Sequence, residues 1–298
     1  MEREKKLRDL SDIREWIHDG DRIAIGGFAV YQRPMAIVRE IVRQGIKDLT
    51  IVGIVNSMDA DLLIGAGCVS AIETSYVGLE KYGLALNYRR AVQEGTIKVK
   101  YYPEMLAWDR FRADREGWPY WPVYYLSDCD IVLRNPDIIE YSCPMTGKPV
   151  HALPAAKPDV VLLHAYKSDI YGNLQLQPRW MLPQIQDVDL ARACDRVIAT
   201  VEHIVDTEEI KKHPERTQVP AFKTKAIFDV NYGSHPTMTL DCTKEDVEAF
   251  SGYAEASKSK ESFDEYLKKY IYDVKDNDEY LSLFGKEHLE RLEDSDNA

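Results

Sequence analysis

The sequence predicts an α/β fold: an open parallel sheet with flanking helices and a helical C-terminal segment. The strongest observation is a strand–helix–strand unit over residues 21–55. An apolar strand at 22–25 precedes a helix whose apolar residues repeat with helical spacing, and a β-branched strand at 49–55 follows it. This order of elements produces two parallel strands with a helix packed against them. Two further observations support this fold class. Strands and helices continue to alternate downstream, and the residues near the C-terminus show a helical pattern.

The flanking segments extend this pattern. A helix is predicted at residues 10–17, where four apolar side chains share one face and Ser11 or Asp12 is available as a cap. Residues 118–158 are rich in Pro, Tyr and Cys and are predicted to form mainly loop. Further strands are predicted at residues 69–73, 96–102, 160–164, 196–201 and 226–230.

The C-terminal part of the chain is predicted to be helical. Ser262 and Glu265 fit a capping box beside an apolar stripe, and Asn277 is the predicted cap of a further helix. No internal repeat or low-complexity linker divides the sequence. We therefore expect one domain over residues 1–292 and a disordered acidic tail over residues 293–298.

Composition excludes several classes of partner. The 298 residues include 38 Lys and Arg and 50 Asp and Glu, a formal net charge of −12, which disfavours nucleic acid and anionic membranes as main partners. The five cysteines are scattered and never in C-x-x-C spacing, which is typical of reduced thiols. The N-terminus lacks the apolar stretch of a signal peptide, and no apolar run approaches the ~18 residues of a membrane span. We expect a cytoplasmic protein.

Familiar motifs for cofactors and metals are absent from the sequence. It contains no G-x-G-x-x-G, no Walker loop, no H-E-x-x-H and no G-x-S-x-G. Its seven histidines show no ligand spacing. A metal site or a Rossmann-type NAD site therefore has little support, and we expect no metal.

The loop at residues 26–34, called the glycine loop below, is the most informative local feature. Its paired glycines, Gly26 and Gly27, let a ligand approach the backbone closely. The loop joins the carboxyl end of a parallel strand to a helix N-terminus, where ligands and anions bind in open α/β sheets. Arg33 adds a guanidinium beside it. A tight turn with a solvated arginine explains the same residues equally well.

This loop and many later segments resemble the α subunits of family I coenzyme A transferases, in particular the glutaconate CoA-transferase group. The resemblance begins with GDRIAIGGF at residues 20–28 and covers nearly the whole chain in family order, while residues 118–158 depart most from the pattern. The further matching segments are residues 33–34, 44–50, 61–65, 75–78, 186–189, 201–205, 232–236 and 273–281.

The resemblance implies a parallel α/β fold and an obligatory β subunit, with the active site between the two subunits. The nucleophile in this family is usually a glutamate of the β subunit, which passes CoA from an acyl-CoA to a carboxylic acid through a glutamyl–CoA thioester. The implied substrates are an acyl-CoA and a carboxylate. Coenzyme A enters as part of a substrate, so no permanently bound cofactor is expected.

Glu104 is the residue of this chain that could itself carry chemistry. The resemblance places it where transferases commonly have glutamine, and where subunits resembling steroid ring-opening CoA hydrolases have a catalytic glutamate. A glutamate can take a proton from water or carbon, whereas a glutamine only orients a substrate. Glu104 could equally open a helix running to Arg112, because the helix dipole favours an acidic residue in the first turn.

The other candidate residues are assigned to coenzyme A or substrate binding. Each has a structural alternative: a turn or cap for the loop residues, a buried ion pair for the strand-end glutamate, and backbone hydrogen bonding for the loop histidine. The candidates are Gly26, Gly27, Phe28, Arg33, Asn56, Ser57, Ser75, Gly78, Glu202 and His235.

The leading functional prediction is the α subunit of a heteromeric CoA-transferase that acts on a carboxylic or dicarboxylic acid. One alternative keeps the fold and uses Glu104 as the base of an acyl-CoA hydrolase or C–C ring-opening enzyme. A second alternative is a non-catalytic small-molecule-binding module, which predicts ligand binding without a β subunit. The sequence of the partner would distinguish the first two.

Overall fold

A computed structural model of this protein describes residues 4–126, 129–177, 179 and 181–293. Its strands are β1 Leu7–Arg8, β2 Arg22–Ile25, β3 Leu49–Val52, β4 Val55–Asn56, β5 Val69–Thr74, β6 Tyr76–Val77, β7 Lys98–Tyr101, β8 Tyr120–Val123, β9 Ile139–Ser142, β10 Pro149–Pro154, β11 Val160–Ser168, β12 Leu174–Gln175, β13 Val197–Ile204, β14 Thr217–Val219 and β15 Thr224–Asp229. Its α-helices are α1 Met35–Arg43, α2 Met58–Gly65, α3 Leu86–Glu94, α4 Glu104–Arg115, α5 Asp130–Arg134, α6 Leu182–Ala193, α7 Thr207–Lys212, α8 Val247–Ala256, α9 Lys260–Leu267, α10 Asn277–Ser282 and α11 Lys286–Glu290. Short 3₁₀ helices lie at Leu10–Glu15, Glu80–Tyr82 and Pro214–Arg216, and a π-helical turn lies at Lys268–Tyr272.

The main sheet is parallel along the order β1-β15-β13-β11-β2-β3-β5-β7. Strands β12 and β14 extend it in antiparallel fashion beyond β11. From β2 the chain proceeds toward β7 on one side, and from β11 it proceeds toward β15 on the other. In open α/β sheets, ligands bind beside such a reversal at the carboxyl ends of the strands. The predicted fold class is confirmed.

Helices cover both faces of the sheet. Ile23 and Ile25 of β2 belong to one buried apolar cluster, whereas Ala24 belongs to the cluster on the opposite face. This alternation is the consequence of the two-residue period of a strand that is buried on both faces. Loops at the carboxyl ends of the strands form the candidate site.

The N-terminal segment differs from the prediction. A 3₁₀ helix at Leu10–Glu15 replaces the expected helix, and its N-cap is Asp9, whose carboxylate accepts a hydrogen bond from the Ser11 N–H (2.9 Å). Of the four apolar side chains expected on one face, Ile13 and Ile17 are fully buried. These two buried side chains hold the short 3₁₀ turn against the core, and no longer helix forms in this segment.

The segment at 118–158 is expected to be mainly loop, but about half of its described residues form helix or strand. Strands β8, β10 and β9 form a separate antiparallel sheet, and α5 lies between β8 and β9. The prolines hid the strand pattern in the sequence. Pro122 lies in β8, an outer strand of this sheet, and Pro149 and Pro154 are the first and last residues of the central strand β10. Strand positions of this kind tolerate a missing N–H.

The C-terminal helices begin at different caps from those predicted. Ser259 caps α9, since its Oγ accepts a hydrogen bond from the N–H of Ser262 (3.1 Å), and Asp276 caps α10. Ser262 therefore lies in the first turn, and Asn277 is the first residue of α10. Apart from Glu293, the tail predicted at 293–298 lies outside the described residues. No helix in the described part of the chain combines the length and apolar character needed to cross a membrane.

Candidate functional site

A cavity of about 700 Å³ opens at the carboxyl ends of β5 and β7. A cavity at this edge of a parallel sheet that combines apolar surface with polar and charged side chains is typical of small-molecule binding. No cluster of three or more His, Cys, Asp or Glu side chains suited to a metal ion occurs within the described residues. The lining residues are Phe28, Val55, Ser75, Tyr76, Glu80, Val99, Lys100, Tyr101, Tyr102, Pro103, Glu104, Asp130, Ile131, Arg134 and Asn135.

Three of the predicted site residues line this cavity: Phe28, Ser75 and Glu104. They come from the loop after β2, the end of β5 and the start of α4, so the parallel sheet brings together residues that are far apart in sequence. The Ser75 hydroxyl donates to the Ile54 carbonyl (2.6 Å), which fixes its orientation at the cavity wall.

Glu104 is the first residue of α4, and its side chain is exposed where it lines the cavity. The helix runs past Arg112, as the structural alternative predicted, and its dipole favours a carboxylate at this end. Glu104 also lines the space that a substrate would occupy. Its position therefore suits a proton-accepting role or an orienting role.

The paired glycines are contacted by the protein interior. The Gly26 N–H donates to a carbonyl of β11 (2.8 Å), and the Gly27 N–H donates to Asp187 Oδ1 (2.7 Å). The Phe28 N–H donates to a backbone carbonyl of its own loop (2.9 Å). A Cβ on Gly26 would lie 2.6 Å from Asp187 Oδ1. The close approach that these glycines permit is therefore made by α6, and their N–H groups are already paired.

Arg33 lies beneath the same loop and has no exposed surface. Its guanidinium donates to the carbonyls of Ala29 (2.9 Å), Gly26 (3.0 Å) and Val55, and its Nε lies 3.3 Å from Asp59 Oδ1. The structure thus places Arg33 outside the cavity lining, and the alternative of a solvated arginine is wrong. Arg33 joins the loop after β2 to β4 and to the start of α2.

Asn56, Ser57 and Gly78 connect strand ends near the cavity without lining it. Asn56 Nδ2 donates to Asp59 Oδ2 (2.9 Å), and the Ser57 N–H donates to Asp59 Oδ1 (2.8 Å). The Gly78 N–H donates to the Asn56 carbonyl (3.3 Å), which ties the segment after β6 to β4. These contacts match the turn-forming alternative for all three residues.

Glu202 and His235 occupy other buried clusters. Glu202 Oε1 lies 2.7 Å from His164 Nε2, and Oε2 accepts from a backbone N–H of the loop after β15 (2.9 Å). His235 is held between the Tyr280 hydroxyl and Asp246 Oδ2, each at 2.9 Å. Burial lowers the pKa of His235, while the hydrogen bond to Asp246 opposes that shift. Neither residue lines the cavity.

A buried polar cluster on α6 was missed by the sequence analysis. Gln186 Nε2 donates to the Gly27 carbonyl (2.6 Å), while Asp187 accepts from the Gly27 N–H, so consecutive residues hold both ends of this glycine. Gln184 Nε2 donates to Gln32 Oε1 (2.8 Å). The sequence signal that could have revealed this cluster is a run of amide and carboxylate side chains on α6. Such a run does not fit the apolar stripe expected of a surface helix. Its contact with the glycine loop depends on the tertiary structure.

Asp187 should make stability depend on pH. Burial raises its pKa to about 7, against the opposing effects of the Gly27 N–H, Arg33 and Gln32. The folded chain therefore keeps a proton that the unfolded carboxyl releases near pH 4, and this contribution to the free energy of unfolding is lost as the pH rises through 7. Between pH 5 and 8, wild type should lose about 2–4 kcal/mol relative to Asp187→Asn.

Urea unfolding of both proteins at four pH values measures this difference. Asp195→Asn is the control, because Asp195 is an exposed carboxylate beyond α6 whose pKa is lowered by Lys223. Its difference from wild type should stay constant between pH 5 and 8. A constant difference for Asp187→Asn as well would contradict the expectation.

The comparisons with known proteins agree with one another. A family model described as Coenzyme A transferase matches residues 11–229. The chain is 31% identical to a glutaconate CoA-transferase subunit of Acidaminococcus fermentans, over 96% of this chain and 94% of that one. It is 30% identical to a 3-oxoadipate CoA-transferase subunit of Pseudomonas knackmussii, over 94% and 99% of the two chains.

One solved structure and one further relative extend the comparison. The crystal structure of glutaconate coenzyme A-transferase from A. fermentans matches with a TM-score of 0.91 at 29% identity, covering 97% of this chain and 95% of that one. The chain is also 36% identical to an uncharacterized protein of Archaeoglobus fulgidus over 97% of its own length, but it spans only 66% of that protein.

Proposed function

Because this chain belongs to the coenzyme A transferase family, we propose that it is the α subunit of a heteromeric CoA-transferase. With a β subunit, it moves CoA from an acyl-CoA to a carboxylic or dicarboxylic acid in the cytoplasm. The observation that carries the proposal is the cavity at the carboxyl edge of the sheet, where Phe28, Ser75 and Glu104 meet. Two relatives that are each named as one subunit of a CoA-transferase support the heteromer.

The proposed reaction passes through two covalent intermediates on a glutamate of the β subunit. A glutamate carboxylate of the β subunit attacks the thioester carbonyl, the C–S bond breaks, and an acyl–glutamyl anhydride and a CoA thiolate form. The thiolate attacks the glutamyl carbonyl, releasing the first carboxylic acid as its carboxylate and leaving a glutamyl–CoA thioester. The acceptor carboxylate repeats both steps in reverse order. This is covalent catalysis by a weak nucleophile, so a preorganised, water-poor site assists it.

This chain contributes one wall of the acyl site in the proposal. Phe28, Val55 and Val99 supply apolar surface for an acyl chain, and Glu104 supplies a polar group at the same cavity. The contacts from α6 hold Phe28 in position, since the N–H and the carbonyl of the preceding Gly27 are both bonded to that helix. No nucleophile from this chain is needed.

The exposed apolar residues near the cavity support a partner on this edge. Tyr76 and Tyr101 line the cavity and are 40% and 47% exposed, and Met105, next to Glu104, is 54% exposed. Tyr31 of the glycine loop is 38% exposed. Grouped exposed aromatic and apolar side chains mark protein interfaces. We place the β subunit on this surface.

Glu104 supports a second candidate function on the same fold. It is exposed and lines the cavity, as a base that activates water or removes a carbon-bound proton would have to do. In that case the chain is part of an acyl-CoA hydrolase or C–C ring-opening enzyme, and the chemistry lies on this chain rather than on the partner. The non-catalytic alternative has no supporting observation of this kind.

The test is a trapping experiment on the chain co-expressed with a β subunit of the glutaconate CoA-transferase type from the same genome. The complex is incubated with a panel of acyl-CoAs, treated with borohydride or hydroxylamine, and analysed by mass spectrometry. We expect an adduct on a glutamate of the partner. Glu104→Gln should lower the transfer rate by less than about 10-fold, because an orienting hydrogen bond remains.

The hydrolase alternative gives the opposite pattern. No adduct forms, and Glu104→Gln lowers hydrolysis or ring opening by about 100- to 10,000-fold, the usual effect of losing a general base. Glu94→Gln is the matched control, because Glu94 is an exposed glutamate at the end of α3 that does not line the cavity. Ligand binding without a partner and without turnover would favour the binding module.

A further inference from the structure

The charged groups of the cavity are not equivalent. Lys100 and Arg134 are its two lining cations. Lys100 Nζ lies 2.5 Å from Asp137 Oδ2, so its charge is already paired. Within the described residues, no carboxylate pairs with Arg134, which is exposed. Glu80, Glu104 and Asp130 line the same cavity, but no ion pair joins them to Arg134 in the part of the chain that the structure describes. Arg134 is therefore the lining cation that an incoming anion can approach there without displacing a paired carboxylate.

The residues around Arg134 fix its position. Asn135 is buried, and its Nδ2 donates to the Tyr101 carbonyl at the end of β7 (2.9 Å). Its Oδ1 accepts from the Asp137 N–H (3.1 Å), and Asp137 in turn pairs with Lys100 of β7. Two contacts thus anchor the end of α5 to the sheet, next to Arg134, which is exposed and lines the cavity.

The remaining lining suits the rest of an acyl group. Phe28, Val99 and Ile131 present apolar surface, on which a chain of methylene or unsaturated carbons can pack. A guanidinium at such a wall recognises a carboxylate through two parallel N–H donors. Monocarboxylic acyl groups have no atom that makes this contact.

We propose that Arg134 is a specificity-determining residue that binds the second carboxylate of a dicarboxylic acyl group. This inference rests on the proposed function, because it assumes that the cavity receives the acyl group. It assigns specificity to α5, within the segment at 118–158 whose sequence departs most from the family pattern.

The experiment compares matched substrates on the complex with its β subunit. Succinyl-, glutaryl- and adipyl-CoA are paired with butyryl-, pentanoyl- and hexanoyl-CoA, which have the same chain lengths without the second carboxylate. In Arg134→Gln, kcat/KM for the preferred dicarboxylic substrate should fall about 10- to 100-fold, the loss expected for a charge-assisted hydrogen bond. The matched monocarboxylic substrate should change less than about 2-fold. Arg134→Lys should recover part of the loss, since lysine keeps the charge without the planar pair of donors.

Arg89→Gln is the control, because Arg89 is an exposed arginine of α3 that does not line the cavity. An equal loss on both substrates in Arg134→Gln overturns the proposal and assigns Arg134 to the phosphates of coenzyme A or to folding. No loss on either substrate, or a wild-type preference for monocarboxylic groups at every length, also overturns it. Absence of CoA transfer by the wild-type complex on every acyl-CoA would instead refute the proposed function, which separates the two failures.

Discussion

Replacing Arg33 with alanine should destabilise the protein by about 3–5 kcal/mol, the range measured when one member of a buried ion pair is removed. The substitution leaves the Asp59 carboxylate buried without its cation and removes the donors to the carbonyls of Ala29, Gly26 and Val55. Unpaired buried acceptors add their own desolvation cost. Chemical denaturation followed by circular dichroism measures the effect.

Three further variants separate charge, geometry and volume in this prediction. Arg33→Lys should recover only part of the stability, because one ammonium cannot reach the separate carbonyls that the planar guanidinium contacts. Arg33→Met combined with Asp59→Asn should be more stable than Arg33→Met alone, since no buried charge is then left unpaired. Arg89→Ala serves as the exposed control and should change stability by less than about 0.5 kcal/mol. Equal unfolding midpoints for Arg33→Ala and Arg89→Ala would refute a structural role for Arg33.

Replacing Gly27 with alanine should destabilise the protein by about 2–5 kcal/mol and should lower activity. Its φ of +79° costs an L-residue about 1–2 kcal/mol. A Cβ there would also lie 2.4 Å from the Tyr31 carbonyl oxygen and 2.6 Å from that of Gln32, and overpacking of this kind costs about 1–3 kcal/mol. The atoms in the way are backbone, so the loop that carries Phe28 into the cavity has to shift.

Gly67→Ala is the matched control for the steric part of this effect. Gly67 has a similar φ of +75°, but nothing lies within 4 Å of a Cβ built on it. It should therefore show only the cost of the left-handed conformation, with unchanged catalysis. If thermal unfolding and turnover of Gly27→Ala matched those of Gly67→Ala, the close packing of the glycine loop would have no consequence for the site.

The elements of the main sheet could be predicted because their signals are local. The strand at 22–25 is β2 at the same residues, since three consecutive apolar side chains, Ile23, Ala24 and Ile25, are buried on the two faces of the strand. The segment at 118–158 could not be predicted in this way. Its strands are short, and β8 and β10 contain proline. They are stabilised by pairing with one another rather than by a periodicity that the sequence shows.

The candidate site was predicted in part. Phe28, Ser75 and Glu104, three of the predicted site residues, line the cavity because loops at the carboxyl ends of neighbouring parallel strands meet at one edge. Their roles in binding or catalysis stay predictions. Arg33 was expected to be available to a ligand, and its burial could not be foreseen. An arginine in a glycine loop gives no local indication of whether solvent, a ligand or a carboxylate from α2 will pair with it.

The sequence alone determined the fold class and the family resemblance, because both are carried by the order and periodicity of short segments. Only the tertiary structure decided what the glycine loop does. The contact of the Gly27 N–H with Asp187 joins residues 160 positions apart, and the pairing of Lys100 with Asp137 at the cavity joins residues 37 positions apart. Contacts of this range are fixed when the elements pack, since the free energy that selects them comes from burying side chains of several elements at once.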